Sequence, residues 1–285
     1  IDRSNWMSDI TQLNAGLTKL RISRLQYMLT NGDESAAQNV QGTLDEFSAQ
    51  QQALLKSFKS PDNLKLLREQ GTTIAAYQQS LNKMRSAYRD GNAARQVMGQ
   101  NAETANSLIE AISTQVKQMP LSDQRFEQFQ TITQAREAFL LARYEVRGYT
   151  ADTKAETEQK ALNQLNLAIA SLKDLNSHFA DTQQVALQQL ESALLNYRAA
   201  LQAYKAAYSQ AVDARAEMTV QGADIVKISD RLYQVQLDRR DSESAQARSL
   251  QLVSTLLALL VGILAAVLIT RQITRPLRET LAVVE

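Results

Sequence analysis

Arginine stands at positions where a helical seam calls for an apolar residue. One stretch reads Trp6, Ile10, Leu13, Leu17, Leu20, Arg24, Tyr27, with members alternating three and four apart, the spacing that lines one face of a packed helix. A later one reads Leu187, Leu190, Leu194, Tyr197, Leu201, Tyr204, Tyr208, Ala211, Arg215, Met218. Two more carry Arg95 between Gly91 and Met98, and Arg136 and Arg143 between Ile132 and Val146. Burying a lone charge costs several kcal/mol unless it is paired. A planar guanidinium matches a carboxylate in bidentate fashion. Convergent arginines with no carboxylate on the same seams therefore describe a seat for an anion.

Counting from the helix ends places these residues in layers. Arg24 lies six residues below the end of its helix at Thr30. Arg215 falls within about six residues of that level, roughly 9 Å at ~1.5 Å per residue. Arg21 sits one turn below Arg24 on an adjoining face. Arg21, Arg24 and Arg215 thus form one candidate site, with Tyr88 the tyrosine expected beside its ligand. Arg95 and Arg143 are level with each other and form the second candidate. Arg95 and Arg215 are 120 residues apart, and Arg24 and Arg143 are 119 apart, so an internal duplication would place both sites equivalently.

A plainer reading applies to each arginine singly. Its stem can pack on the seam while the head reaches solvent, or it can pair with an acid such as Asp213, Glu217 or Glu145. Arg136 is read as structural. The stripe Tyr77, Tyr88, Tyr197, Tyr204, Tyr208 is read mainly as core packing.

The elements that must position these residues are all helical. Ala, Leu, Gln, Glu, Lys and Arg dominate, with only three prolines and nine glycines, and such residues favour helix. Breaks fall at Thr30-Asn31-Gly32-Asp33, Ser60-Pro61-Asp62, Met119-Pro120-Leu121-Ser122, Thr150-Ala151-Asp152-Thr153 and 177–182. Six helices follow, at roughly 1–30, 35–58, 62–118, 122–150, 154–177 and 182–270. The third and sixth are of double length. The expected fold class is all-α: six helices forming two stacked four-helix bundles, plus one transmembrane helix. The membrane-proximal bundle takes 1–58, about 62–90 and about 210–248. The distal one takes about 91–209.

From Ser249 to Thr270 run 22 residues without a charge, enough to span the ~30 Å hydrocarbon core. Arg271, Arg275 and Arg278 follow it, and positive charge marks the cytoplasmic side. Residues 1–248 are expected in the periplasm, with the span in the inner (cytoplasmic) membrane. The sequence begins without Met, at Ile1, and a first span is expected before residue 1. A net charge of +1 (31 basic, 30 acidic residues) argues against a nucleic-acid partner. With no cysteine and one histidine, His178, neither a metal site, a cofactor nor a catalytic cluster is expected. The chain is therefore not read as an enzyme.

The six-helix pattern with two long members resembles the helical bimodular (HBM) sensor domain. Arg21-Ile22-Ser23-Arg24, followed by Tyr27-Met28-Leu29-Thr30-Asn31-Gly32-Asp33, looks like the first helix of HBM chemoreceptors for organic acids. Ile273-Thr274-Arg275-Pro276-Leu277 resembles the proline-marked opening of a HAMP linker, expected over 271–285. The resemblance implies a methyl-accepting chemotaxis receptor whose proximal bundle binds Krebs-cycle acids such as malate and succinate, through Arg21, Arg24 and Arg215. It also implies a distal bundle that takes a smaller carboxylate such as acetate; Arg95 and Arg143 are assigned there from the duplication. Leu141 departs from the pattern, standing where a counterpart of Arg21 would be. A homodimer is expected, working on a cytoplasmic kinase and adaptor through a region beyond residue 285. The alternative is the sensor region of a histidine kinase reading a small anion or a periplasmic binding protein.

Overall fold

The computed structural model describes residues 3–179 and 183–284, with side chains at 3–5, 240 and 275–284 outside the description. Six α-helices follow one another: α1 (Arg3–Met28), α2 (Glu34–Ser57), α3 (Pro61–Lys117), α4 (Asp123–Asp152), α5 (Ala155–His178) and α6 (Gln184–Val284). No strand occurs among the described residues. The expected helices are present, the third and sixth being the long ones. The final helix runs further than expected, past the uncharged stretch 249–270 to Val284. That stretch is long and apolar enough to cross a membrane. Ala180, Asp181 and Thr182 of the expected fifth break lie outside the described residues.

Local chemistry explains the stops. Gly32 adopts φ +81°, a left-handed conformation open to glycine, and Asp33 Oδ2 accepts from the Ala36 N–H at 3.3 Å to open α2. Pro61 starts α3, where its missing N–H costs no helix hydrogen bond. Ser122 caps α4 by accepting from the Arg125 N–H at 3.1 Å. Thr153 ends that helix at φ 55°, its N–H bonded to the Tyr149 carbonyl at 2.7 Å.

Packing divides the chain into two compact units. The first comprises 1–17, 47–71 and 224–285, the second 18–46 and 72–223. Both long helices, α3 and α6, contribute to each unit. In the second unit, α3 to α6 share one core around Ile112, Ile132, Phe139, Leu165, Leu175 and Leu190. Tyr27, Leu44, Leu81, Met84 and Met218 are buried within the same unit. The first unit packs segments of α1, α2, α3 and α6 through Ile10, Leu13, Phe47, Leu54, Leu67, Ile225 and Leu232. Trp6 lies against Phe58 there, with ring centroids 5.4 Å apart.

Candidate functional site

The second unit holds a cavity of about 240 Å³ along α3 and α6, bordered by two turns. The α1–α2 turn contributes Thr30 and Asn31, and the α4–α5 turn contributes Thr150 and Thr153. Small residues make the room: Ala87 and Gly91 on α3, Ala207 and Ala211 on α6. A Cβ on Gly91 would stand 3.7 Å from that of Ala207, so the two helices meet closely at this level. Larger side chains then fill the flanks: Tyr88 and Arg95 from α3, Tyr204, Tyr208 and Arg215 from α6.

The lining is arranged as a pseudo-twofold. Thr30, Ala87, Tyr88, Gly91 and Arg95 recur 120 residues later as Thr150, Ala207, Tyr208, Ala211 and Arg215. Tyr77 lies by Gly222 and Gly91 by Ala207, so α3 and α6 are antiparallel and position 89 is level with position 209. Arg95 and Arg215 stand six residues beyond that level in opposite directions. Each backbone position is thus about 9 Å from the centre, and a guanidinium enters from each end.

The two arginines are held differently. Arg95 Nη2 donates to the Thr150 carbonyl at 3.2 Å and to the Tyr204 hydroxyl at 3.3 Å, with its Cζ 5.3 Å from the Tyr204 ring centroid. Tyr204 is in turn edge-on to Tyr149 at 6.0 Å. The Arg215 guanidinium has no such anchor on the described residues. It lies near Tyr88, whose pKa is raised by burial while the Arg215 charge pulls it back. Among the described residues no carboxylate pairs with Arg24, Arg95, Arg143 or Arg215, although Arg136 pairs with Glu110 at 2.8 Å and Arg85 with Glu34.

The expected groupings come out rearranged. Arg95 and Arg215, assigned to separate sites from the sequence, line one cavity. Tyr88 joins them. Arg24 is half-buried and lies along α6, with Nη1 3.5 Å from the Met218 carbonyl. A Cβ on Gly222 would approach that nitrogen to 3.1 Å, so the glycine leaves its berth clear. Arg21 is exposed on α1. Arg143 is half-buried beside Tyr197, whose hydroxyl burial pushes up to about 12 against the pull of Arg143 and Arg147. None of Arg21, Arg24 and Arg143 lines the cavity. The reason is helical phase: the buried positions are Ala94 and Ala214, one residue before each arginine, which turns Arg95 and Arg215 to the flank instead of the seam.

The sequence profile of the helical bimodular sensor domain matches residues 1–247. The chain belongs to this family. It is 54% identical over its whole length to the methyl-accepting chemotaxis protein McpS of Pseudomonas putida, covering 45% of that protein. It is 32% identical to McpQ of the same organism and 25% identical to McpK of Pseudomonas aeruginosa, both methyl-accepting chemotaxis proteins, covering 44% of each. The chain therefore spans under half the length of these relatives.

Within this HBM domain the core-packing reading of the tyrosine stripe holds for the buried Tyr204, while Tyr208 and the two turns are parts of the site that sequence reasoning passed over. Their signal was the same 120-residue offset that linked Arg95 to Arg215, extended to Tyr88 with Tyr208 and Thr30 with Thr150.

Proposed function

We propose that this HBM domain is the sensing region of a chemoreceptor for small organic acids, with residues 1–248 outside the cytoplasmic membrane, 249–270 crossing it and 271–285 opening a HAMP linker. One observation carries the reading: two guanidiniums, without carboxylate partners among the described residues, line a cavity with Tyr88, Tyr204 and Tyr208 from opposite ends. Both side chains reach the cavity from the exposed flanks of α3 and α6, and two like charges at one cavity attract an anion placed between them. Arg215 is the hub of the proposal. A dicarboxylate such as malate or succinate engages it, with Tyr88 as hydroxyl donor and Arg24 and Arg21 on the α1 side. Arg95 and Arg143 serve a second, smaller carboxylate such as acetate, or Arg95 grips the far end of the first acid. The similarity to three methyl-accepting chemotaxis proteins favours a chemotaxis output over a histidine kinase cascade. As a homodimer, the receptor passes binding along α6 to a cytoplasmic kinase and adaptor.

Calorimetric titration of the chain in lipid nanodiscs with malate, succinate and acetate tests this. The expected result is saturable binding of at least one acid, lost in Arg215→Ala. Absence of binding to all three would refute the organic-acid reading.

A further inference from the structure

The two cavity arginines hold equivalent places in the duplication, but their hydrogen-bonding protons are not equally free. At the 120-residue offset Arg95 matches Arg215, while Tyr204 matches Met84. With position 89 level with 209, Tyr204 stands opposite Ala94 and Met84 opposite Ala214, each next to its arginine. Both arginines occupy exposed positions on their helices, so exposure does not separate them. The neighbour does. A tyrosine hydroxyl both donates and accepts, whereas a methionine thioether is a weak acceptor only.

Tyr204 completes a closed triangle of hydrogen bonds. Its hydroxyl accepts from Arg95 Nη2 at 3.3 Å and donates to the Thr150 carbonyl at 3.5 Å. Arg95 Nη2 donates to that same carbonyl at 3.2 Å. Thr150 lies in the last turn of α4, where carbonyls lack a helical N–H and a cation is favoured. Its counterpart Thr30 lies beyond the end of α1 at Met28. The Tyr204 ring is buried and packs edge-on to the buried Tyr149, which sets where the hydroxyl sits. Both protons of Arg95 Nη2 are thereby used. A guanidinium forks a carboxylate through Nη1 with Nη2, or through Nε with Nη2. Either fork needs an Nη2 proton, and Arg95 has none to spare. The Arg215 side chain makes no hydrogen bond or ion pair among the described residues, so it keeps both forks.

We infer that Tyr204 is a positioning residue that sets the specificity of the cavity, holding Arg95 on the end of α4 so that Arg215 alone forks an acid. The inference rests on the organic-acid reading and refines it. Arg95 gives a bound acid its charge and single Nη1 or Nε bonds, and Arg215 gives the two-point grip. The acid is thus oriented, with one carboxylate committed to Arg215, in a cavity whose lining is otherwise pseudo-symmetric. Met84, with no hydroxyl, leaves Arg215 free for that task.

Phenylglyoxal tests the difference without any acid, because its two carbonyl carbons each take one Nη nitrogen of a guanidinium. In the 285-residue chain in nanodiscs, with labelled peptides read by mass spectrometry, Arg215 should react several-fold faster than Arg95. Tyr204→Phe keeps the ring and removes the hydroxyl, and should raise the Arg95 rate to near that of Arg215. Equal rates in the wild type, or an Arg95 rate unmoved by Tyr204→Phe, would overturn the assignment. The wild-type rates decide by themselves if the variant does not fold. Succinate then reads the specificity by calorimetry. Tyr204→Phe should bind it about tenfold more tightly, as the freed Arg95 forks the second carboxylate, and Arg95→Ala added to that variant should cancel the gain. Unchanged or weaker binding in Tyr204→Phe would remove the specificity role. If the wild type binds no acid, the organic-acid reading fails, while the labelling rates still decide whether Tyr204 holds Arg95.

Discussion

Gly32 lies against the ring of Tyr88 so closely that a Cβ on it would overlap the ring carbons. The contact ties the α1–α2 turn to α3 at the cavity wall. Tyr88 is also edge-on to Tyr27 at 6.2 Å, so the turn, the last residues of α1 and the cavity tyrosine form one packed group. Placement of Thr30 and Asn31 at the cavity follows from that packing. The turn is a structural part of the site.

Gly32→Ala is expected to destabilise the domain by at least the ~1–2 kcal/mol cost of a left-handed non-glycine residue, with the ring overlap adding to it. Thermal unfolding would show the loss. Calorimetry on the folded fraction should show weaker binding of whichever acid the wild type takes, because Tyr88 is displaced. Unchanged stability would mean that the turn has another conformation.

Gly91→Ala should behave oppositely. The added methyl meets Ala207 at an ordinary 3.7 Å, and replacing glycine by alanine in a helix interior contributes about 0.8–1 kcal/mol. Tm should rise. A fall would show that α3 and α6 approach more closely than this geometry allows.

Arg215→Ala should weaken organic-acid binding tenfold to more than a hundredfold, since a charged hydrogen bond contributes ~1.5–3 kcal/mol. The partner substitutions identify the seat. If Arg24→Ala weakens dicarboxylate binding as strongly and Arg95→Ala does not, the acid lies on the α1 side of Arg215. The reverse result places it across the pseudo-twofold. Helix content should hold in all three, as none of these arginines makes a salt bridge among the described residues.

Glu34 at the start of α2 pairs with Arg85 on α3, and that hydrogen bond holds its carboxyl below the usual 4.5. A depressed carboxylate contributes stability that is fully present above its unfolded value and lost as pH falls through the folded one. The pair is partly exposed, so the contribution is small. Thermal melts from pH 6 downward should show a decline setting in below about 4.5 that is shallower in Glu34→Gln. Parallel profiles would remove the pair from the account.

Much of the fold was legible in the residues. Glycine and proline at the breaks, an apolar rhythm of three and four, and 22 uncharged residues before a cluster of arginines are local signals, and they gave the helices and the apolar stretch. The duplication was legible too, as a 120-residue offset. The grouping of the arginines was not. Ala94 with Arg95, and Ala214 with Arg215, offer seams of nearly equal merit in one dimension, because a small residue fits a close helix contact and a long one can reach around it. Which of the two turns inward depends on the facing helix, through contacts such as Gly91 on Ala207. That choice moved Arg95 and Arg215 from two seams to one cavity. It also carried the two turns to that cavity, since a turn's sequence sets its conformation and only packing sets what lies opposite it.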